Sequence, residues 1–387
     1  MPASATDLLD KQTFTYKQVQ CIPLLLDVYP AAVGTCTNAQ ECPVVVYFHG
    51  GGLTVGNRES WFPHWLHRRT TAIGCVFISI EYRLIPPSSG NEILEDIKDA
   101  LKFVAQELNS LLQDRRHDHA KANLHPFTVD PGRIAVVGTS SGGLCAYLAA
   151  LHASPRPIAI LSMYGMGGDM LTPHYFAPKS EVFFRGRELL DPERFADYLY
   201  PACQRLQIVA DSSLAYHPST SPTPGYPANP RMQLARLYLQ SGTFLDYYMG
   251  RHEPSLSAAL REAYTSPDRE PDGDASRARL LSPLVPSELR HLFPQLLIPP
   301  SKSDSFQWPP TFLVHGTADT AIRADESRHL AALLRRAGVN VTLRLIEGRE
   351  HSFDYARDAE GAFGGEGGLF DEAAGFLAHH LGAEGSA

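Results

Sequence analysis

The chain has 387 residues, of which 44% are hydrophobic and 20% charged, and its formal net charge is −8. This apolar content is enough to bury a large core, and the absence of any lysine- or arginine-rich run excludes a nucleic-acid partner. The longest apolar runs have the length of strands, so no membrane span is predicted. The amino-terminal residues show no basic region followed by an apolar one, and the six cysteines form no C-x-x-C pair. Together these features predict a reduced, cytoplasmic protein.

The first part of the chain alternates strand-like and helix-like segments. Two strands are predicted at 14–19 and 22–29, and a third at 43–49 is an unbroken apolar run typical of a strand buried on both faces. A further buried strand is predicted at 75–80, and residues 93–104 follow with apolar side chains at helical spacing. This alternation indicates a parallel sheet covered by helices on both sides.

The next elements surround the sequence Gly138-Thr-Ser140-Ser-Gly142. Residues 130–133 are predicted to form a turn, and residues 134–138 a strand that runs straight into a helix. The two glycines lack a Cβ, so the strand and the helix can pass closely and lift the hydroxyl of Ser140 clear of the backbone. The start of a helix also favours developing negative charge. The pattern therefore predicts a nucleophilic Ser140; the alternative is a chance Gly/Ser turn.

The alternation ends after a strand predicted at 157–163. Residues 166–304 contain no run typical of a buried strand, but short helical pieces, prolines and many aromatic residues. Because a structureless loop of that length is implausible in a compact domain, residues 166–304 are predicted to be an inserted, largely helical lid. The catalytic core is then expected to comprise residues 1–165 and 305–387.

The last elements are strands predicted at 311–315 and 341–346 and helices predicted at 325–337 and 369–381. Asp319 lies in the turn that leaves the first of these strands, and His351 lies in the loop after the second. A nucleophilic serine needs a base, and the base needs a carboxylate that orients it. Asp319 is favoured over Asp325, which fits the start of a helix. The alternatives are an Asx turn for Asp319 and an ordinary surface loop for His351.

Three glycines follow His49 directly. Consecutive glycines let backbone N–H groups point at a substrate, and the predicted oxyanion donors are the amides of Gly50, Gly51 and Ser141. A phosphate-binding loop is the alternative, but no Lys-Ser/Thr pair follows and the G-x-G-x-x-G spacing is absent. No cofactor or metal is predicted, and residues 117–119, a His-Asp-His sequence, are more simply a solvated turn.

Taken together, these motifs resemble those of α/β-hydrolase-fold serine hydrolases, in which the triad order is also Ser, Asp, His. The matching motifs are His49-Gly-Gly-Gly52, Glu81-Tyr-Arg-Leu84, Gly138-Thr-Ser-Ser-Gly-Gly143, His315-Gly-Thr-Ala-Asp319 and Gly348-Arg-Glu-His351-Ser-Phe353. The first motifs are closest to hormone-sensitive-lipase-like esterases, although Thr139 and Ser141 replace the usual acid and alanine beside the nucleophile. The motif around Asp319 is more similar to prolyl-oligopeptidase-type and dienelactone-type members. The resemblance covers residues 13–165 and 305–382 and implies the α/β-hydrolase fold.

The expected activity is cleavage of a carboxylic ester, lactone or thioester of a bulky apolar acyl group through an acyl-enzyme. Ser140 attacks, His351 acts as base and then acid, and Asp319 holds the imidazole tautomer. An acyl transferase, a cyclase or a peptidase would use the same triad, and a non-catalytic ligand-binding protein on this scaffold is a further alternative. The partner is thus expected to be a small apolar acyl substrate. The acyl group, the leaving group, the pathway and the oligomeric state stay open.

Overall fold

A computed structural model of the protein describes residues 10–32, 34–35, 41–118, 127–266 and 274–383. The strands are β1 (Gln12–Val19), β2 (Ile22–Tyr29), β3 (Cys42–Phe48), β4 (Val76–Ile80), β5 (Val129–Thr139), β6 (Ala159–Met163), β7 (Thr311–Gly316) and β8 (Val341–Ile346). They form one sheet in the order β1-β2-β4-β3-β5-β6-β7-β8. β1 pairs with β2, and β2 with β4, in antiparallel fashion, and the remaining pairs are parallel. The predicted, mostly parallel α/β-hydrolase sheet is therefore confirmed.

The central strands form because their residues are apolar on both faces. In β3, Val44 and Val46 point to one hydrophobic core, and Val45 and Tyr47 point to the other. Successive side chains of a strand alternate between faces, so an unbroken apolar run is stable only when both faces are covered. The sheet is accordingly buried between two layers of helices.

The helices are α1 (His64–Ala72), α2 (Gly90–Gln106), α3 (Leu108–Asp118), α4 (Ser141–His152), α5 (Pro173–Phe176), α6 (Arg231–Ser241), α7 (Phe244–Met249), α8 (Leu256–Thr265), α9 (Asp274–Leu281), α10 (Ala324–Arg336), α11 (Ala359–Phe363) and α12 (Leu369–Leu381). Helices α2, α4 and α10 pack on one face of the sheet, and α1 and α12 on the other. Helix α2 begins with a capping box between Ser89 and Glu92, which satisfies free amides of its first turn. None of the described helices is both long and apolar enough to cross a membrane.

Residues 164–310 join β6 to β7 and add no strand to the sheet where they are described. Short 3-10 helices and α5 to α9 lie in this stretch, which we call the β6–β7 segment. Helix α6 is fixed to the core by the buried Arg231, which donates hydrogen bonds to the carbonyls of Ile85 (3.3 Å) and Pro86 (2.6 Å). One turn later α6 touches the glycine motif, since a Cβ added to Gly52 would lie 2.3 Å from Ala235 Cβ. Segment and core are thus in direct contact beside Ser140.

Two turns predicted from the sequence fall within regular elements. Residues 130–133 lie within the bounds of β5, but they bulge out of the pairing with β3, which passes from Val129 to Ile134, and the amide of Gly132 donates to Asp130 Oδ1 (2.8 Å). The turn predicted at residues 117–119 overlaps the end of α3. This helix contains no glycine or proline that would break it, and it continues to Asp118. His119 lies outside the described residues.

Candidate active site

Ser140 lies at the sharp junction between β5 and α4, with a φ of 55° and a ψ of −123°. A positive φ is costly for a residue with a Cβ, so neighbouring contacts must hold it. Its amide donates to the carbonyl of Met163 (3.0 Å), and its carbonyl accepts from the amide of Met166 (2.9 Å). The flanking glycines leave no space for side chains. A Cβ at Gly138 would lie 2.0 Å from the Gly142 carbonyl oxygen, and one at Gly142 would lie 2.1 Å from a carbonyl oxygen of β3.

The structure brings Ser140, His351 and Asp319 together at the carboxyl ends of β5, β8 and β7. His351 Nε2 lies 3.0 Å from Ser140 Oγ, and His351 Nδ1 lies 2.6 Å from Asp319 Oδ2. Asp319 Oδ1 accepts hydrogen bonds from the amides of Ala321 and Ile322, each at 2.9 Å. A carboxylate that accepts from Nδ1–H leaves Nε2 unprotonated, ready to take the proton of the serine hydroxyl.

Asp319 is buried but keeps its negative charge. Burial alone raises the pKa of a carboxyl group, but the charges and hydrogen bonds of His351 and His315 outweigh it and hold the pKa of Asp319 well below its usual range. His315 Nε2 lies 3.3 Å from Asp319 Oδ2, and His315 Nδ1 lies 2.7 Å from Ser327 Oγ. At neutral pH the aspartate is therefore an ionised hydrogen-bond acceptor for the imidazole.

The rival Asp325 lies in the first turn of α10, with 63% of its side chain exposed and with Arg323 and Arg328 as its ion-pair partners. Negative charge in the first turn of a helix is favourable, so its surroundings fit the helix-start role expected from the sequence.

A buried hydrogen-bond network, which the sequence does not predict, lies behind His351. The ring of Tyr164 packs edge-on against His351, with 4.6 Å between ring centroids. The Tyr164 hydroxyl donates to Asp354 Oδ1 (2.6 Å), and Trp65 Nε1 donates to Asp354 Oδ2 (3.0 Å). The ring contact between Tyr164 and His351 restricts the movement of the imidazole toward the core. These residues come from distant parts of the chain, and no sequence motif links them.

The predicted oxyanion donors flank Ser140. Gly50 and Gly51 line the cavity above it, and a Cβ at Gly50 would lie 3.2 Å from Ser140 Cβ. Gly51 has a φ of 113°, and a Cβ there would lie 2.1 Å from a carbonyl oxygen of the same loop, so the position requires glycine. Ser141 follows Ser140 directly and is fully buried. Its hydroxyl accepts from the amide of Leu53 (3.1 Å) and so ties the glycine loop to the start of α4.

A second buried contact supports the glycine loop from below. The ring of Tyr82 stacks on His49 with 4.4 Å between centroids, and its hydroxyl donates to the His49 carbonyl (2.7 Å). Burial lowers the pKa of His49 to about 4, so this imidazole is neutral at physiological pH. Tyr82, from the Glu81-Tyr-Arg-Leu84 motif, thus supports the glycine loop.

A cavity of about 180 Å³ lies over Ser140 and His351, with walls from the core and from the β6–β7 segment. The segment contributes apolar side chains, among them Phe184, Met232 and Leu239, and three arginines, Arg185, Arg187 and Arg236. Many of its aromatic rings pack elsewhere, as in the stacked pair Tyr238 and Tyr247. The cavity therefore offers both apolar walls and cationic groups beside Ser140, and it is open to solvent on one side.

A second cavity lies next to the triad. A larger open groove of about 1150 Å³ lies on the far side of Asp319 and includes neither Ser140 nor His351. Among the described residues, no three His, Cys, Asp or Glu side chains are arranged to hold a metal ion.

Two family models match the chain. Residues 45–224 match a family described by the α/β-hydrolase fold, which confirms the resemblance drawn from the amino-terminal motifs. Residues 296–374, which include Asp319 and His351, match the prolyl oligopeptidase family.

Curated relatives match by sequence, although the chain spans less than half of their length. A probable carboxylesterase M8 from Phoma sp. is 32% identical over 154 residues, which are 39% of this chain and 46% of that protein. The 5-methylorsellinic acid synthase of Aspergillus terreus is 29% identical over 373 residues, which are 92% of this chain and 13% of the synthase.

Solved structures are similar over nearly the whole chain. An α/β hydrolase superfamily protein from Enterococcus faecalis is 15% identical, with a TM-score of 0.57 over 96% of this chain and 99% of that one. A thermostable carboxylesterase cloned from a metagenomic library is 19% identical, with a TM-score of 0.53 over 96% of this chain and 89% of that one. At such identities the likeness concerns the fold. The sheet topology, the family matches and these likenesses together show that the chain has the α/β-hydrolase fold.

Proposed function

We propose that this chain is a serine hydrolase that cleaves a carboxylic ester or thioester through an acyl-enzyme on Ser140. The observation that carries the proposal is the unbroken line of hydrogen bonds from Ser140 Oγ to His351 Nε2 (3.0 Å) and from His351 Nδ1 to Asp319 Oδ2 (2.6 Å). The strained backbone of Ser140 and the adjacent glycine loop support the same chemistry.

In the proposed reaction, Ser140 Oγ bonds to the carbonyl carbon of the substrate while His351 Nε2 takes the hydroxyl proton. The carbonyl oxygen becomes an oxyanion, for which the amides of Gly50, Gly51 and Ser141 are the proposed donors. His351 then donates its proton to the leaving group as the bond to that group breaks, and the acyl-serine remains. Water, deprotonated by His351, attacks the acyl carbon, and Ser140 departs with the proton, which yields the free acid.

The cavity over Ser140 has room for a ring-sized acyl group. An enclosed cavity of about 150 Å³ in another protein binds benzene, and the cavity here, of about 180 Å³, is in addition open to solvent. The relatives support a carboxylic acid as product, because one is named a probable carboxylesterase and another a synthase of 5-methylorsellinic acid. We therefore propose that the chain releases a ring-sized acyl group as the free acid.

The test is covalent labelling by a fluorophosphonate together with hydrolysis of a 4-nitrophenyl benzoate. We expect wild type to be labelled once and to hydrolyse the ester, Ser140→Ala to do neither, and the exposed-serine control Ser301→Ala to behave as wild type. Labelling of Ser140→Ala at the wild-type rate would refute the proposal. The matching benzanilide distinguishes an esterase from a peptidase, and product that forms only with an added alcohol or amine would indicate acyl transfer.

A further inference from the structure

Three arginines are buried in the described part of the chain, and they differ in what neutralises them. Arg83 forms an ion pair with Asp96, with 2.8 Å between Arg83 Nε and Asp96 Oδ2. Arg231 bonds to backbone carbonyls of the core. Arg236 has a long hydrogen bond to Gln233 Oε1 (3.3 Å) and a polar contact with the Tyr226 hydroxyl, and it makes no ion pair with a described residue. A buried guanidinium without an anion is costly, so Arg236 calls for an explanation.

The surroundings of Arg236 add to this cost. Burial and the neighbouring charge of Arg187 lower the pKa of Arg236, and only the weaker influences of Tyr226 and Glu188 oppose them. Gln233 also accepts the hydroxyl of Tyr226 (2.8 Å). A second cation therefore lies near Arg236, and no described carboxylate forms an ion pair with Arg236, which favours an anion from outside the chain.

Arg236 and Arg187 line the same small cavity as Ser140 and His351. A guanidinium offers several donors in a planar fork that matches the two oxygens of a carboxylate. Because Arg236 and Ser140 line one small cavity, a single acyl group can place its carbonyl at Ser140 and a second group at Arg236. We propose that the acyl group carries a second, anionic function, a carboxylate, which Arg236 binds with the help of Arg187.

This inference rests on the proposed serine-hydrolase function and goes further, because it makes Arg236 a residue that determines specificity. Its test compares two esters of the same shape, 4-nitrophenyl 3-carboxybenzoate and 4-nitrophenyl 3-carbamoylbenzoate. Each rate is divided by the uncatalysed rate, and active sites are counted by fluorophosphonate titration, so misfolded protein does not enter the comparison. We expect wild type to prefer the anionic ester in kcat/KM by roughly ten- to hundred-fold, the size of a charge-assisted hydrogen bond.

In Arg236→Met the preference should vanish, and Arg236→Lys should keep part of it because the charge remains. Arg187→Met, at an exposed position, should weaken the preference without disturbing the core. The control is Arg194→Met, an exposed arginine of the same segment outside the cavity, which should keep the wild-type ratio.

A wild-type enzyme that hydrolyses the carbamoyl ester as fast as the carboxylate ester would overturn the inference and leave the hydrolase function standing. An enzyme that hydrolyses neither ester and takes no label would overturn the function itself.

Discussion

Asp319 and Asp325 are near neighbours in sequence with opposite surroundings, one buried against two imidazoles and the other exposed between two arginines. We expect Asp319→Asn to lower turnover by about 10,000-fold, since a neutral amide permits the wrong imidazole tautomer. Asp325→Asn should leave turnover near that of wild type. Steady-state kinetics of both variants on one ester decide the matter, and equal losses would rule out Asp319 as the orienting acid.

Glu326 offers a second prediction about a single residue, this time on stability. It is 3% exposed and accepts from the amides of Gly167 (2.8 Å) and Gly168 (3.1 Å) and from the hydroxyl of Tyr175. Burial raises its pKa to about 8. Between the ordinary value of 4.5 and about 8, the folded protein holds a proton that the unfolded chain has lost, so the free energy of unfolding falls as pH rises.

Glu326→Gln removes this contribution, so we expect its Tm to fall less than that of wild type between pH 5 and pH 8. Glu81, whose pKa burial raises to about 7, acts in the same direction in both proteins and cancels in the difference. Thermal unfolding of the two proteins across this range is the measurement. Parallel Tm curves would mean that Glu326 is ionised in the folded state.

At the scale of the element, α6 is the helix of the β6–β7 segment that contributes the largest number of lining residues to the cavity: Met232, Gln233, Ala235, Arg236 and Leu239. We expect Met232→Ala, which enlarges the cavity, to shift the preference among acyl groups toward larger ones while fluorophosphonate still labels Ser140. Met249→Ala makes the same chemical change in α7, outside the cavity, and costs roughly 2–5 kcal/mol of stability as a buried deletion. It should lower the Tm and leave the order of substrates unchanged. Kinetics on a series of benzoate and longer acyl esters separate the two effects, and an unchanged order in Met232→Ala would deny α6 a role in selection.

Helix α6 carries two buried arginines with different partners, so the same change in each should have different consequences. Arg231→Met leaves the carbonyls of Ile85 and Pro86 without a donor, and we expect about 3 kcal/mol lower free energy of unfolding. It should slow every ester by a similar factor, because α6 and the glycine motif then shift together. Denaturant unfolding and kinetics on the 3-carboxy and 3-carbamoyl benzoates are the measurements. If Arg231→Met instead slowed only one of the two esters, the result would show that Arg231 binds substrate.

At the scale of the whole molecule, the sheet could be predicted because its central strands are unbroken apolar runs, such as Val44 to Phe48, bounded by turn residues. The residues at the strand ends could be proposed for the same reason, since parallel strands bring their carboxyl ends to one edge, where Ser140, Asp319 and His351 indeed lie within hydrogen-bonding distance. The sequence could not predict the Tyr164–Asp354–Trp65 network, because these three residues are far apart in the chain and come together only when it folds. The sequence could not place Arg185 and Arg187 in the cavity either, because residues 181–190 have no regular period that shows which side chains face inward.

The contact of Gly52 with Ala235, and the bonds from Arg231 to the core, have a consequence for protein engineering. The β6–β7 segment invites domain shuffling, since its ends leave and rejoin the sheet at neighbouring strands. A graft that replaced α6 and kept the native glycine loop would set a foreign side chain against Gly52, where not even a methyl group on the glycine fits. A functional chimera therefore has to exchange α6 together with residues 50–55 and 85–86. Alternatively, it keeps the native α6 and exchanges only other parts of the β6–β7 segment.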